Sequence, residues 1–299
     1  MATDVQQTQS DRRTTVDALL RAGEARLSDA GIRNARQEAV WIVEWALGTT
    51  RLALQLDGPR CVEPDDWNRV TALFARRASR EPLQYILGTQ EFCGMEFTVG
   101  PEVLIPRPET EQVVEAVVRQ RFAGSAPGIV DIGTGSGCIA VALARALPTA
   151  VVYATDRSAG ALQMARANAA RQGVEDRIRF FAGDLFEPLR GLGLEGRLEA
   201  IVSNPPYIPE GDVAGLQPEV RSFEPRLALA GGIDGLDVFR RLIAEAPEFL
   251  LPQGTLTLEV GQGQADAVAQ LAEAQGGYGR AGRLRDAAGI ERVVCFRRK

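Results

Sequence analysis

The chain has no histidine among its 299 residues. Without an imidazole, Ser-His-Asp triads and Cys-His pairs are excluded and the commonest zinc ligand is missing. Any catalysis therefore runs through carboxylates, amides, backbone groups or a cofactor. Cysteine is scarce as well: Cys61, Cys93, Cys138 and Cys295 are scattered with no paired metal-ligand spacing, so no metal site is expected. No apolar run approaches the ~20 residues of a membrane helix. The start, Met1 to Arg13, is polar and lacks the apolar segment of an export signal, which makes a cytoplasmic address the default expectation. A basic excess is missing too. The net charge of -5 weighs against broad neutralisation of nucleic-acid phosphates. The local groups Arg76, Arg77, Arg80 and Arg297, Arg298, Lys299 read as a solvated helix face and a frayed terminus.

What remains is an ordinary globular composition, 45% hydrophobic and 24% charged, in a chain long enough for two domains. Thr15 to Leu27 carries Val16, Leu19, Leu20 and Leu27 at helical spacing. Asn34 stands as an N-cap before Ala35 to Leu47, with Gly48 as the stop. Pro64 suits the first turn of a third helix through Trp67, Val70, Leu73 and Phe74. The first part, to about residue 85, is thus a small helical bundle without a catalytic cluster, whose default role is packing or partner docking.

Around Cys93-Gly94 the short apolar stretches from Gln90 to Val99 predict a β-hairpin linker. A stiff loop follows, Ile105-Pro106-Arg107-Pro108-Glu109-Thr110-Glu111, leading into the helical run Val113 to Val118. Capping and helix-dipole chemistry account for Glu109 and Glu111, with ligand contact as the other reading. Beyond it, strand and helix alternate. Strands are predicted at Ile129–Ile132, Val151–Thr155, Ile178–Ala182, Ala200–Ser203, Thr255–Val260 and Arg292–Phe296, with another near Gly279–Arg285. Helices fall between them at Ile139–Leu147, Ala159–Gln172, Val238–Leu250 and Gln264–Gln275. This is the α/β pattern of a doubly wound, seven-stranded Rossmann-like sheet, whose last two strands are joined too closely for a crossover helix and so are antiparallel.

Two stretches carry chemistry. Asp131-Ile132-Gly133-Thr134-Gly135-Ser136-Gly137 links the first sheet strand to its helix, where glycines allow a tight turn and close approach of a ligand. Asp156 ends the next strand about 20 residues on, the place of an acid that accepts from ribose hydroxyls. The glycines fall at every second position, unlike the G-x-G-x-x-G of dinucleotide sites, and this form resembles the first motif of S-adenosylmethionine-dependent methyltransferases. In that group the first acid and the glycine loop face the methionine part of the cofactor. The third strand ends in Gly183-Asp184-Leu185-Phe186, where an acid and an apolar residue bracket adenine; a turn or N-cap role for Asp184 is the other reading.

The second stretch is Asn204-Pro205-Pro206-Tyr207, at the end of the apolar run Leu198 to Val202. Two prolines end the strand and leave a rigid polar shelf at its carboxyl edge. If the Asn204 side-chain oxygen and the Pro205 carbonyl both accept from a target NH2, they fix its plane and favour the more pyramidal nitrogen of a methyl-transfer transition state. Tyr207 is then expected as a planar wall for the target. No histidine is needed.

Together with Arg80-Glu81-Pro82-Leu83-Gln84-Tyr85-Ile86-Leu87-Gly88, the Ile105 to Glu111 loop, Glu224-Pro225 and the run Gly231 to Asp237, these motifs make nearly the whole chain resemble one family. It is the PrmC/HemK family of protein-(glutamine-N5) methyltransferases, which modify the glutamine of the Gly-Gly-Gln loop of peptide-chain release factors in translation termination. The resemblance implies a helical N-terminal substrate-docking domain (1–88), a hairpin linker (89–106) and a methyltransferase domain (107–299). It implies S-adenosyl-L-methionine as cofactor, held by Asp131, Gly133, Thr134, Gly135, Ser136, Gly137, Asp156, Asp184, Leu185 and Asn204. The target glutamine amide is then held at Asn204, Pro205, Pro206 and Tyr207, with Asn204, Pro205 and Tyr207 as the catalytic set. Some members carry tryptophan where this chain has Leu185. N-P-P-Y is shared with N6-adenine methyltransferases of DNA and RNA, which stand as the nearest rival; a nicotinamide oxidoreductase and a non-catalytic nucleotide-binding scaffold are more distant ones. The acidic balance favours a protein partner over nucleic acid, and no membrane partner is expected.

Overall fold

The computed structural model describes residues 14–56, 58–120, 122 and 126–299, so the polar stretch Met1 to Arg13 lies outside the described residues. The chain forms two compact units, Met1–Gly88 and Thr89–Lys299. In the first, helices α1 (Val16–Asp29), α2 (Ala35–Leu47) and α4 (Pro64–Ala78) surround a core that includes Leu19, Leu27, Ile42, Val70 and Phe74. Each such buried side chain contributes roughly 1.5–3 kcal/mol relative to exposure. Thr15 caps α1 by accepting from the Ala18 N–H, and Pro64 opens α4. Asn34 occupies the N-cap position of α2, yet its side chain makes no capping bond. Two short helices, α3 (Arg51–Leu56) and α5 (Leu83–Leu87), are too brief for the periodicity to reveal.

Of the arginines expected to form a solvated face, Arg76 on α4 is exposed, whereas Arg77 on α4 and Arg80 just beyond it are not fully solvated. Arg77 is buried and paired with Glu38 at 2.5 Å, Arg76 pairs with Glu81, and Arg80 donates to the Ala30 and Gly31 carbonyls. Arg77 and Arg80 tie distant segments of the unit together, and burying Arg77 requires the carboxylate beside it.

The second unit begins with the hairpin β1 (Thr89–Phe92) and β2 (Met95–Thr98). Cys93 and Gly94 turn with φ of 50° and 70°, as a two-residue turn matched to strand twist requires. Phe92 and Phe97 enter the core of this unit, and the Asn168 amide bonds both the Thr98 backbone and the Ser136 carbonyl. The loop after β2 reaches α6 (Glu111–Val118) through one 3-10 turn, Pro108–Thr110.

The sheet has seven strands in the order β5-β4-β3-β6-β7-β9-β8. They are β3 (Gly128–Ile132), β4 (Val151–Asp156), β5 (Ile178–Ala182), β6 (Leu198–Ser203), β7 (Leu250–Glu259), β8 (Gly282–Arg285) and β9 (Glu291–Arg297). The first five are parallel, and β9 runs antiparallel to both β7 and β8. Successive residues serve opposite faces: Ile129 packs with α6, α7 (Cys138–Ala146) and α8 (Ala159–Arg171). Val130 packs with α10 (Asp237–Phe249) and α11 (Ala265–Gln275); the short α9 is Pro218–Phe223. The order reverses between β3 and β6, so their carboxyl ends flank a crevice. At the far end the terminus is not frayed: the Arg298 N–H bonds the Gly254 carbonyl, and Lys299 bonds the carbonyls of Gly276 and Gly277. Among the described residues no helix is long and apolar enough to cross a membrane.

Candidate active site

The β3–β6 crevice opens into a cavity walled by four groups of residues. Gly133, Thr134, Gly135 and Ser136 come from the loop after β3, and Asp156 ends β4. Asp184 and Leu185 follow β5, and Asn204 and Pro206 follow β6. The loop is pinned from beneath: the N–H groups of Gly133 and Thr134 donate to the Thr155 carbonyl at 2.8 and 2.9 Å. Gly133 and Gly135 have φ of +74° and +56°, and a Cβ added to either would meet no atom within 4 Å. The space above these glycines therefore belongs to the cavity. Asp156 Oδ2 accepts from the Gly135 N–H at 2.9 Å and Oδ1 from the Ser158 N–H at 2.8 Å. Each oxygen keeps a second lone pair for a ligand.

Four of the residues expected at the site stand off the cavity wall. Asp131 is fully buried, and its Oδ2 accepts from the Thr134 hydroxyl (2.7 Å) and the Ala140 N–H (3.2 Å). Burial pushes its carboxyl up to about 7, and its geometry is that of a brace between the loop and α7. Gly137 is a packing position: an added Cβ would lie 2.9 Å from Ala165 Cβ. Pro205 is buried under the shelf. Tyr207 does not present its ring to the cavity. The ring lies beside Gly261, its hydroxyl points to Glu259 Oε1 at 3.4 Å, and its carbonyl accepts from Gln264 Nε2 at 2.9 Å. Burial raises the phenol above its ordinary value.

Leu185 does reach the wall, with φ of +48° and its carbonyl held by the Thr155 hydroxyl at 3.0 Å. The neighbouring Phe186 turns into the core and stacks on Phe249. Asp184 is on the wall and also pairs with Arg241 at 2.8 Å.

Other residues complete the wall: some come from the Glu224-Pro225 and Gly231 to Gly235 segment, which the sequence leads one to expect as a loop over the site, and others, before α6, sequence reasoning missed. Pro106, Arg107 and Thr110 join the wall, as do Pro225, Leu227 and Ala228 from the segment after β6. That segment, 208–236, is a strap laid on the shelf: Ile208 bridges Ala230, and Gly231 packs against the Pro206 carbonyl. Arg107 Nη2 grips both Glu224 oxygens at 2.7 and 2.8 Å. Glu111, in contrast, accepts from the Cys93 N–H at 2.6 Å and is a tie to the hairpin. Glu259, at the end of β7, is 2% exposed and burial raises it to about 7. Its Oε2 receives the Thr110 hydroxyl at 2.6 Å, and Thr110 Oγ1 in turn receives Asn204 Nδ2 at 3.1 Å. The only sequence signal for Glu259 is an acid ending an otherwise apolar strand.

Residues 18–88 match the model of the PrmC N-terminal domain and residues 110–216 that of the methyltransferase small domain. A release factor glutamine methyltransferase of Geobacter sulfurreducens is 48% identical over 90% of this chain and 91% of its own. One of Moorella thermoacetica is 46% identical over 92% and 95%. Among solved structures, a methyltransferase from Pyrococcus furiosus (TM-score 0.50, 17% identity) covers 77% of this chain and 97% of its own. The catalytic domain of hMettl16 with an RNA hairpin (0.53, 16%) covers 78% and 82%. These two share the fold, which by itself selects no substrate. The identity with the sequence relatives is far higher and runs through both units, and on that ground the chain belongs to the family of release factor glutamine methyltransferases.

Proposed function

We propose that this enzyme transfers a methyl group from S-adenosyl-L-methionine to the side-chain amide nitrogen of the glutamine in a release factor's Gly-Gly-Gln loop. The observation that carries the reading is the shelf: Asn204, on the cavity wall, has its Nδ2 committed to Thr110, which leaves Oδ1 as an acceptor.

The cavity suits the cofactor. Open space over Gly133 and Gly135, the spare lone pairs of Asp156 and the apolar side chain of Leu185 fit a methionine tail, a ribose and an adenine in turn. Bound S-adenosylmethionine supplies a methyl group on a positively charged sulfur. Thr134, Ser136 and Asp184 complete this cradle, while Asp131 and Gly137 act on it from behind by holding the loop and α7. At the shelf, Asn204 Oδ1 accepts from the target NH2 and holds its plane, and Pro205, which stands off the cavity wall, supports the shelf from beneath. An amide nitrogen is a poor nucleophile because its lone pair is delocalised, so acceptors that favour a pyramidal nitrogen lower the barrier. Pro206 fixes the shelf's backbone, and Tyr207 supports it through Glu259 instead of serving as a wall. Residues 1–88 are assigned to docking the release factor, 89–106 to linking and 107–299 to transfer.

The test is methylation with labelled cofactor of a purified release factor, the same factor with its loop glutamine changed, and total DNA and RNA. Label in the first alone is expected; label in nucleic acid would move the assignment to an amino-group methyltransferase of DNA or RNA.

A further inference from the structure

Asn204 is useful as an acceptor only if its amide faces the right way. A half-turn about the terminal bond would put NH2 toward the target NH2, donor against donor. The two orientations differ little in shape, so hydrogen bonding must choose between them.

The choice is made by two buried side chains from elsewhere in the fold. Ser203 lies opposite Leu258 in the β6–β7 ladder, so one rung further Asn204 comes beside Glu259. Thr110, from the turn before α6, stands between them; it and Glu259 are each 2% exposed. A threonine hydroxyl has one proton to give. At 2.6 Å from Glu259 Oε2 that proton is committed to the carboxylate, which when ionised can only accept. Thr110 Oγ1 can then offer only lone pairs, and the Asn204 atom 3.1 Å away must be the donor nitrogen.

We propose that Glu259 and Thr110 are positioning residues of the transfer site: the carboxylate sets the direction of the Thr110 hydroxyl, and the hydroxyl sets Asn204 with Oδ1 toward the target amide. The proposal rests on the reading of Asn204 as the acceptor for that amide. It assigns the turn Pro108–Thr110 and the end of β7 a task in transfer that neither packing nor cofactor binding requires.

The relay also has a polarity that reverses. A protonated Glu259, or a glutamine in its place, can donate to Thr110 and free the hydroxyl proton to bond Asn204 Oδ1, which favours the unproductive orientation. The groups facing Glu259 are the hydroxyls of Thr110 and Tyr207, with Glu109 and Arg292 as the nearby charges; burial and Glu109 hold its proton on, and Arg292 opposes them. Turnover is therefore expected to fall as pH drops through about 7, while cofactor binding stays flat.

The experiment compares Thr110→Val, Thr110→Ser, Glu259→Gln and Asn204→Ala, measuring cofactor Kd, kcat on a release factor and the pH profile of kcat. Thr110→Val keeps the shape and loses both bonds. It is expected to lower kcat about 10–100-fold with cofactor Kd within about twofold and the acid limb gone, as for a lost orienting contact. Thr110→Ser should restore most of the turnover, and Glu259→Gln should resemble Thr110→Val. If Thr110→Val turns over normally while Asn204→Ala does not, the relay is overturned and the role of Asn204 stands. If Asn204→Ala itself turns over normally, both fall. Equal loss of activity in Thr110→Val and Thr110→Ser would mark a packing role and also overturn the proposal.

Discussion

Arg107→Met is expected to loosen the strap over the cavity without unfolding the unit. The Glu224 side chain is 1% exposed and, among the described residues, Arg107 is the cation paired with it, with Nη2 within 2.8 Å of both oxygens. At an effective dielectric constant of ~20, opposite charges about 3 Å apart attract by roughly 5–6 kcal/mol before desolvation is counted. Burial takes much of this back: it is the largest influence on Glu224 and holds its carboxyl above the ordinary value even with the guanidinium beside it. The pair therefore adds little net stability but makes the strap's position specific, since removing one partner leaves a buried carboxyl without a counterion. That penalty is on the order of 3 kcal/mol, relieved in part when the carboxyl takes up a proton. With 1.4 kcal/mol per tenfold, strap opening should become on the order of a hundredfold more frequent.

Amide hydrogen exchange reads this directly at Glu224, Ala228 and Ala230, whose N–H groups bond the carbonyls of Val220, Pro225 and Arg226. Those amides should exchange about a hundredfold faster in the variant, while sheet amides of β3 and β6 stay unchanged. The double variant Arg107→Met with Glu224→Leu, which removes both charges, should recover most of the protection. Exchange within twofold of the parent in Arg107→Met would refute the latch, and a double variant worse than the single would refute the role given to desolvation.

Asp156→Ala removes two backbone ties and the acceptors proposed for the ribose, and should weaken cofactor binding about 10–100-fold by calorimetry. Gly137→Ala forces a Cβ to 2.9 Å from Ala165 at φ +80°; a loss of roughly 2–4 kcal/mol should lower Tm by several degrees. Asp131, raised from 3.8 to about 7, holds a proton in the folded chain that the unfolded chain releases. Its contribution to stability is complete below about pH 4 and is lost as pH rises toward 7. Asp131→Asn should therefore gain on the parent between pH 5 and pH 8, and a stability difference independent of pH would contradict this.

The elements legible in the sequence are those set by local pattern. The buried strands around Val130, Val152 and Ile201 are nearly continuous apolar runs, and Cys93-Gly94 marks its own turn, so the sheet and hairpin could be read to within a few residues. Likewise Gly133, Gly135, Asp156 and Asn204 sit where strand ends predict a cavity, and they line it. What the sequence hid depends on partners distant along the chain. Thr110 and Glu259 are 149 positions apart and Arg107 and Glu224 are 117 apart, so neither pair leaves a spacing signal. Tyr207 belongs to the shelf by sequence, but the direction of its ring is fixed by Glu259 and Gly261, which pattern does not show. Arg77 illustrates the opposite error: within a charge run that looks solvated, and whose Arg76 is exposed, this one side chain is buried because Glu38 meets it across the bundle.

The central claim is that the Asn204 shelf acts on the target amide and not on the cofactor alone. Its most direct test is Asn204→Ala, with cofactor Kd and single-turnover methylation of a release factor measured on the same preparation. The account predicts a Kd within a few fold of the parent and a transfer rate lower by at least about a hundredfold. A rate close to the parent's, or a loss explained wholly by weaker cofactor binding, would contradict it.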